Sequence, residues 1–224
     1  MALDEPLRRL LLDLMAVGGS CPLLLAGGHA AEAHGLAAHA GAELELATDA
    51  QTPMAELTEV LRAGLEARGR QVRELSVEPL EARLAVSDPA GGGEYRVGIG
   101  KETLWRPPVP GADGPVLALE DLVGIRVRAL ADRGLAADLA VVRAAARDHS
   151  PAELEEWGRR HARDGLELAD LQARLEGVEW LDDREFAACG LDPEQIAGLR
   201  AWAQGWADDI GERLAEEAPY EEDE

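Results

Sequence analysis

Between Leu23 and Asp49 the chain reads LLLAGGHAAEAHGLAAHAGAELELATD, and no other stretch restricts the fold as strongly. A short apolar strand runs into Gly27-Gly28, small residues carry a helical run through His29 to Gly35, and a second strand holds Glu43 and Glu45. Strand side chains alternate faces, so these two glutamates point the same way, about 6 to 7 Å apart. Two carboxylates on one face, beside a glycine turn that opens a helix, are the groups a metal and phosphate site uses.

The flanking sequence extends this into an α/β fold. Asp4 to Val17 has an amphipathic helical stripe of Leu7, Leu10, Leu11 and Leu14. Thr52-Pro53 predicts a helix start with threonine as the N-cap, and Leu57, Val60, Leu61 and Leu65 continue that helix toward Arg68-Gly69. The period then changes: QVRELSV, EARLAVS and EYRVGIG are strand segments separated by Pro79 and by the turn from Asp88 to Gly93. Trp105-Arg106-Pro107-Pro108 lacks two backbone donors and predicts a loop over one end of the sheet. From Glu120 onward the pattern is helical, with a break at Arg133-Gly134, a capping box at Ser150 to Glu153 and a further start at Asp192-Pro193. The expected organisation is a mixed sheet covered by helices over residues 1–119, a helical part over 120–217, and a disordered acidic tail over 218–224. No internal repeat is visible.

Charge narrows the choice of partners. The net charge is −22, and Glu212 to Glu224 holds seven acids against Arg213, which leaves about −16 on the rest. Such a surface repels a phosphate backbone, which argues against nonspecific nucleic-acid binding. Cys21 and Cys189 form no C-x-x-C pattern, and Leu7 to Ala16 is interrupted by Arg8, Arg9 and Asp13. The expectation is therefore a cytoplasmic protein with two reduced thiols and no membrane span. Basic residues are nearly all arginine, with Lys101 the single lysine, a bias of G+C-rich bacterial genes.

The layout resembles the nucleotidyltransferase superfamily, and within it the AbiEii/AbiGii abortive-infection toxins. Ala26-Gly27-Gly28-His29-Ala30 and Ala33-His34-Gly35 match that group's turn and helix, and Glu43-Leu44-Glu45 stands where it has Asp-x-Asp. His39 occupies the place of an arginine before the acidic pair, and Gly124 to Gly134 resembles a helix whose lysine reaches nucleotide phosphates, with Arg126 in the lysine's place. Asp138 matches an aspartate that follows, whereas Ala137 and Val141 depart from the pattern; the resemblance spans roughly Leu23 to Val142. It implies a nucleotidyltransferase-like mixed sheet with a helical C-terminal region. It also implies a nucleoside triphosphate bound by Gly27, Gly28 and Arg126, Mg²⁺ on Glu43 and Glu45 as the catalytic carboxylates, and a protein antitoxin as partner.

The acidic set departs from that pattern. Each glutamate carries its carboxylate more than about 1 Å beyond an aspartate's, while Mg²⁺ needs oxygens near 2.1 Å in octahedral order and paired ions sit about 4 Å apart. Aligned on Lys101-Glu102, the third aspartate falls at Gly98, and Glu94 lies about 13 Å from there along the strand. No group is left to take a proton from an acceptor hydroxyl. Two readings follow: a degenerate member with weak or no transfer activity, or an active enzyme moving a nucleoside monophosphate from an NTP to a macromolecular hydroxyl.

Other residues carry structural expectations. His29, His34 and His39 advance about 140° per step on a helix and share no face for zinc. Trp202 and Trp206, one turn apart, are expected to pack rather than stack on a base. Arg62, Arg68, Arg70 and Arg73 are expected to pair with carboxylates.

Overall fold

The computed structural model describes residues 3–19, 21–36, 43–89 and 93–217. His39, residues 90–92 of the glycine-rich turn and the tail over 218–224 lie outside the described residues. The chain divides into two compact units, Met1–Leu122 and Val123–Glu224.

The first unit is built on a sheet of seven strands: β1 (Leu24–Leu25), β2 (Glu43–Thr48), β3 (Gln71–Val77), β4 (Glu81–Ser87), β5 (Glu94–Lys101), β6 (Val109–Gly111) and β7 (Gly114–Val116). Their spatial order is β3-β4-β5-β2-β1-β7-β6. The sheet is mixed, since β2 runs parallel to β5 and β1 parallel to β7, while the remaining pairs are antiparallel. Alternation fixes which face enters the core. Leu44 and Leu46 on β2, and Val97 and Ile99 on β5, are buried, which leaves Glu43, Glu45 and Gly98 on the opposite face.

Three helices accompany this sheet: α1 (Glu5–Gly18), α2 (Gly27–Ala33) and α3 (Met54–Glu66). Asp4 caps α1 by accepting the Leu7 N–H at 2.8 Å, and Leu10, Leu11 and Leu14 are its fully buried stripe. α3 presents Leu57, Leu61 and Leu65 at helical spacing and packs on α1, β3 and β4. Its start differs from the expected cap. Pro53 is the N-cap residue, and the Thr52 hydroxyl instead faces the Cys21 thiol at 3.2 Å. The extended backbone of Pro53 turns the chain one residue later than the threonine signal suggested.

The β6–β7 hairpin was not legible as strands. Both strands carry a proline: Pro110 lies on the edge strand β6, and Pro115 opposite it on β7 stands outside the single registered pairing with β1, Leu25 with Val116. The Trp105 to Pro108 segment is a loop tied down by Asp121, whose buried carboxylate accepts the Trp105 N–H at 3.1 Å and the Arg106 N–H at 3.0 Å.

The boundary between the units falls inside α4 (Leu119–Arg133). The second unit continues with α5 (Ala136–Ala145), α6 (Pro151–His161), α7 (Leu168–Glu176), a 3₁₀ turn (Gly177–Trp180), α8 (Asp183–Ala188) and α9 (Pro193–Glu217). Ser150 and Glu153 form the capping box of α6. α9 packs on α5, α7 and α8, burying Ile196, Leu199, Ala203, Trp206 and Ile210. Both cysteines are free thiols. No helix among the described residues is long and apolar enough to cross a membrane.

Candidate functional site

The site forms where β1 ends, α2 begins and β2 runs alongside. The Ala26 N–H donates to the Glu45 carbonyl at 2.9 Å, so the turn is stitched to the acidic strand by backbone. Gly27 has φ +60°, a left-handed conformation that a side chain rarely adopts. It is glycine for a second reason. A Cβ added there would lie 2.3 Å from Glu45 Cδ and 2.5 Å from each carboxylate oxygen. The Glu45 carboxylate therefore rests directly on the turn.

Glu43 goes the other way. Gly98 lies beside Glu45 in the β2–β5 register, and a Cβ added to Gly98 would meet Glu43 Oε1 at 2.9 Å. Because β2 stands between β1 and β5, the two carboxylates reach to opposite sides of their strand: Glu45 toward the glycine turn, Glu43 over Gly98. Gly98 has ordinary strand backbone, with no positive φ. The space above it, where a third acid would project, is reached by the Glu43 side chain. Among the described residues, no group of three or more His, Cys, Asp or Glu side chains is placed to hold a metal ion.

Histidine enters the site in a way the sequence did not signal. His29, in the first turn of α2, is 8% exposed, and its Nδ1 has no hydrogen-bond partner among the described residues. Burial pushes its pKa below the ordinary value, against the pull of Glu32, Glu45 and Asp4, and so favours the neutral ring. His34 donates Nε2–H to the Leu117 carbonyl at 2.8 Å, a structural tie between α2 and the segment after β7.

Arg126 belongs to the second unit, where its Nη1 pairs with Asp138 Oδ1 at 2.8 Å. Asp138 is fully buried and also pairs with Arg133 at 3.0 Å. Arg62 pairs with Glu59 and Glu66, Arg68 and Arg70 with Asp13, and Arg73 with Glu94, so each of these arginines meets a carboxylate. Trp202 and Trp206 pack against each other in a tilted contact with centroids 5.3 Å apart. The Trp206 Nε1–H donates to the buried Glu155 carboxylate, which Arg213 also grips through both terminal nitrogens.

No protein-family model matches the chain, and no curated protein matches its sequence. Solved structures do match over nearly the whole length. A candidate nucleotidyltransferase from Helicobacter pylori is 12% identical with a TM-score of 0.54, covering 98% of this chain and 100% of its own. JHP933, also from Helicobacter pylori, is 16% identical with a TM-score of 0.51, over 96% and 97%. MenT4, a nucleotidyltransferase toxin from Mycobacterium tuberculosis H37Rv, is 14% identical with a TM-score of 0.52, over 93% and 91%. The fold is thus that of nucleotidyltransferases, one of them a toxin.

Proposed function

We propose that this protein is a nucleotidyltransferase-like member of the AbiEii/AbiGii toxin type whose acidic site has degenerated, leaving transfer weak or absent. Gly98 carries this reading: it brings no side chain to the face that Glu43 and Glu45 share, and those two carboxylates part to either side of β2, so no third carboxylate among the described residues completes a metal pair or takes the acceptor's proton. Two glutamates with water can still hold a single Mg²⁺, so metal-assisted nucleotide binding is compatible with slow chemistry. The glycine turn remains the candidate cradle for the triphosphate, with Glu45 as a competing negative charge on it. The toxin among the structural neighbours supports a protein antitoxin as partner.

The test is a thermal-shift screen of the four NTPs with Mg²⁺ and Mn²⁺, followed by pyrophosphate release. Binding at about 100 times the dissociation constant adds about 2.7 kcal/mol of stability. The proposal expects a metal-dependent shift with little pyrophosphate. The Arg126 assignment is read separately: if its guanidinium meets phosphate, Arg126→Ala weakens NTP binding by about 1 to 3 kcal/mol, and an unchanged affinity places the phosphates elsewhere.

A further inference from the structure

α2 has a second working face. Gly27 meets Glu45, whereas His29, Glu32 and Ala33 follow at spacings that set them together on another side of the helix. That side forms one wall of a cleft of about 660 Å³, and the β6–β7 hairpin contributes the facing residues from Val109 to Asp113 and Val116. The volume falls in the range that small-molecule sites occupy, roughly 300 to 1,000 Å³.

The lining chemistry limits what fits. Leu25, Val109 and Val116 give it an apolar floor. Its acidic side chains are two carboxylates. Glu32 is a carboxylate with no ion pair to another described residue, and Asp113 is a carboxylate held by Arg8 at 2.6 Å. His34 spends its Nε2–H on the Leu117 carbonyl. His29, more than nine-tenths buried with Nδ1 unpartnered, stands beside Glu32 in the same wall. Glu32 and Asp113 place negative charge beside the apolar floor, which favours a ligand that brings positive charge and hydrogen-bond donors to that end.

We propose that this cleft is a binding site for a small molecule with a compact apolar body and an N–H-rich cationic end, an amine or amidine, seated against Glu32. The apolar body lies along Leu25, Val109 and Val116. An anionic isostere of the same shape is repelled by Glu32, and a neutral one forgoes the charge-assisted contact. The site does not depend on the glycine turn or on any nucleotide.

Benzamidine is the probe, with benzamide and benzoate as its neutral and anionic counterparts. Calorimetric titration of the full chain without nucleotide, together with NMR shifts of the His29 ring and the Val116 methyls, reads occupancy and place. Saturable benzamidine binding that shifts His29 and Val116 is expected, with benzamide and benzoate weaker by about tenfold or more. Glu32→Gln, at a half-exposed position that folding tolerates, should weaken benzamidine by a similar factor, and Ala33→Trp should remove binding by filling the cleft. Benzamide binding as tightly as benzamidine, no saturation up to about 10 mM, or benzamidine affinity unchanged in Glu32→Gln would each overturn the proposal.

Discussion

The contact between Gly27 and Glu45 makes a quantitative prediction about the core of the site. Replacing Gly27 by alanine forces a side chain into φ +60°, which costs about 1 to 2 kcal/mol. The new methyl also lands 2.3 to 2.5 Å from three atoms of the Glu45 carboxyl, so the glutamate must swing away by about 1 Å or leave its rotamer, adding roughly 0.5 to 1.5 kcal/mol. Gly27→Ala should therefore destabilise the first unit by about 2 to 3 kcal/mol. In a Glu45→Ala background the clash disappears and only the backbone term remains, so the same substitution should cost about 1 to 2 kcal/mol. A double-mutant cycle by urea unfolding, with β-sheet circular dichroism as the probe, measures the difference as a coupling of roughly 1 kcal/mol. If the two substitutions add within about 0.3 kcal/mol, Glu45 does not rest on the turn and the description of the site is wrong.

Three further outcomes follow. Asp121→Ala removes the buried acceptor of the Trp105 and Arg106 N–H groups, so it should cost about 2 to 4 kcal/mol and expose the loop before Pro107 to limited proteolysis; unchanged cleavage kinetics would count against that anchor. Glu155→Ala leaves Arg213 and the Trp206 N–H without their buried partner, and should lower stability by about 3 to 5 kcal/mol in thermal unfolding. For His29, burial depresses the folded pKa, so between that value and the unfolded 6.5 the unfolded chain binds more protons. Its stabilisation is complete above about pH 6.5 and is lost as pH falls toward the folded value; unfolding of native and His29→Asn proteins between about pH 7.5 and 5.5 should show the steeper acid-side loss in the native chain, and parallel curves would contradict the assignment.

Short strand-like segments bounded by proline or glycine were sufficient to read β3, β4 and β5, although only β4 and β5 bury apolar side chains and β3 buries none. The β6–β7 hairpin escaped because prolines at 110 and 115 argue against strand, and they are admitted only because β6 is the sheet edge and β7 meets β1 at Val116 alone, which tertiary context sets. Strand parity correctly put Glu43 and Glu45 on one face. It could not say that their carboxylates part to either side of β2, since that depends on the bare Gly27 and Gly98 on neighbouring segments. The same limit applies to Arg126, whose charge is legible in sequence while its pairing with Asp138 is a packing outcome twelve residues away. His29 read as an ordinary helical residue, and its burial without a partner for Nδ1 emerges only from the fold.

The central claim is that a nucleotidyltransferase scaffold has lost its acid set, and restoring that set tests it most directly. Glu43→Asp and Glu45→Asp draw the carboxylates back toward the spacing that paired magnesium ions need, and Gly98→Asp supplies the missing carboxylate. The structure accommodates the third change, because Gly98 has ordinary strand φ and an added Cβ meets only the mobile end of Glu43, which the first change shortens. Singly, each should do little, since groups acting as a unit are strongly non-additive. The measurement is Mg²⁺-dependent transfer of label from radiolabelled NTPs to total cellular RNA or protein, comparing folded native and triple-variant chains. The account predicts little or no transfer by the native protein and a clear rise in the triple variant; robust native transfer abolished by Glu43→Ala would contradict it.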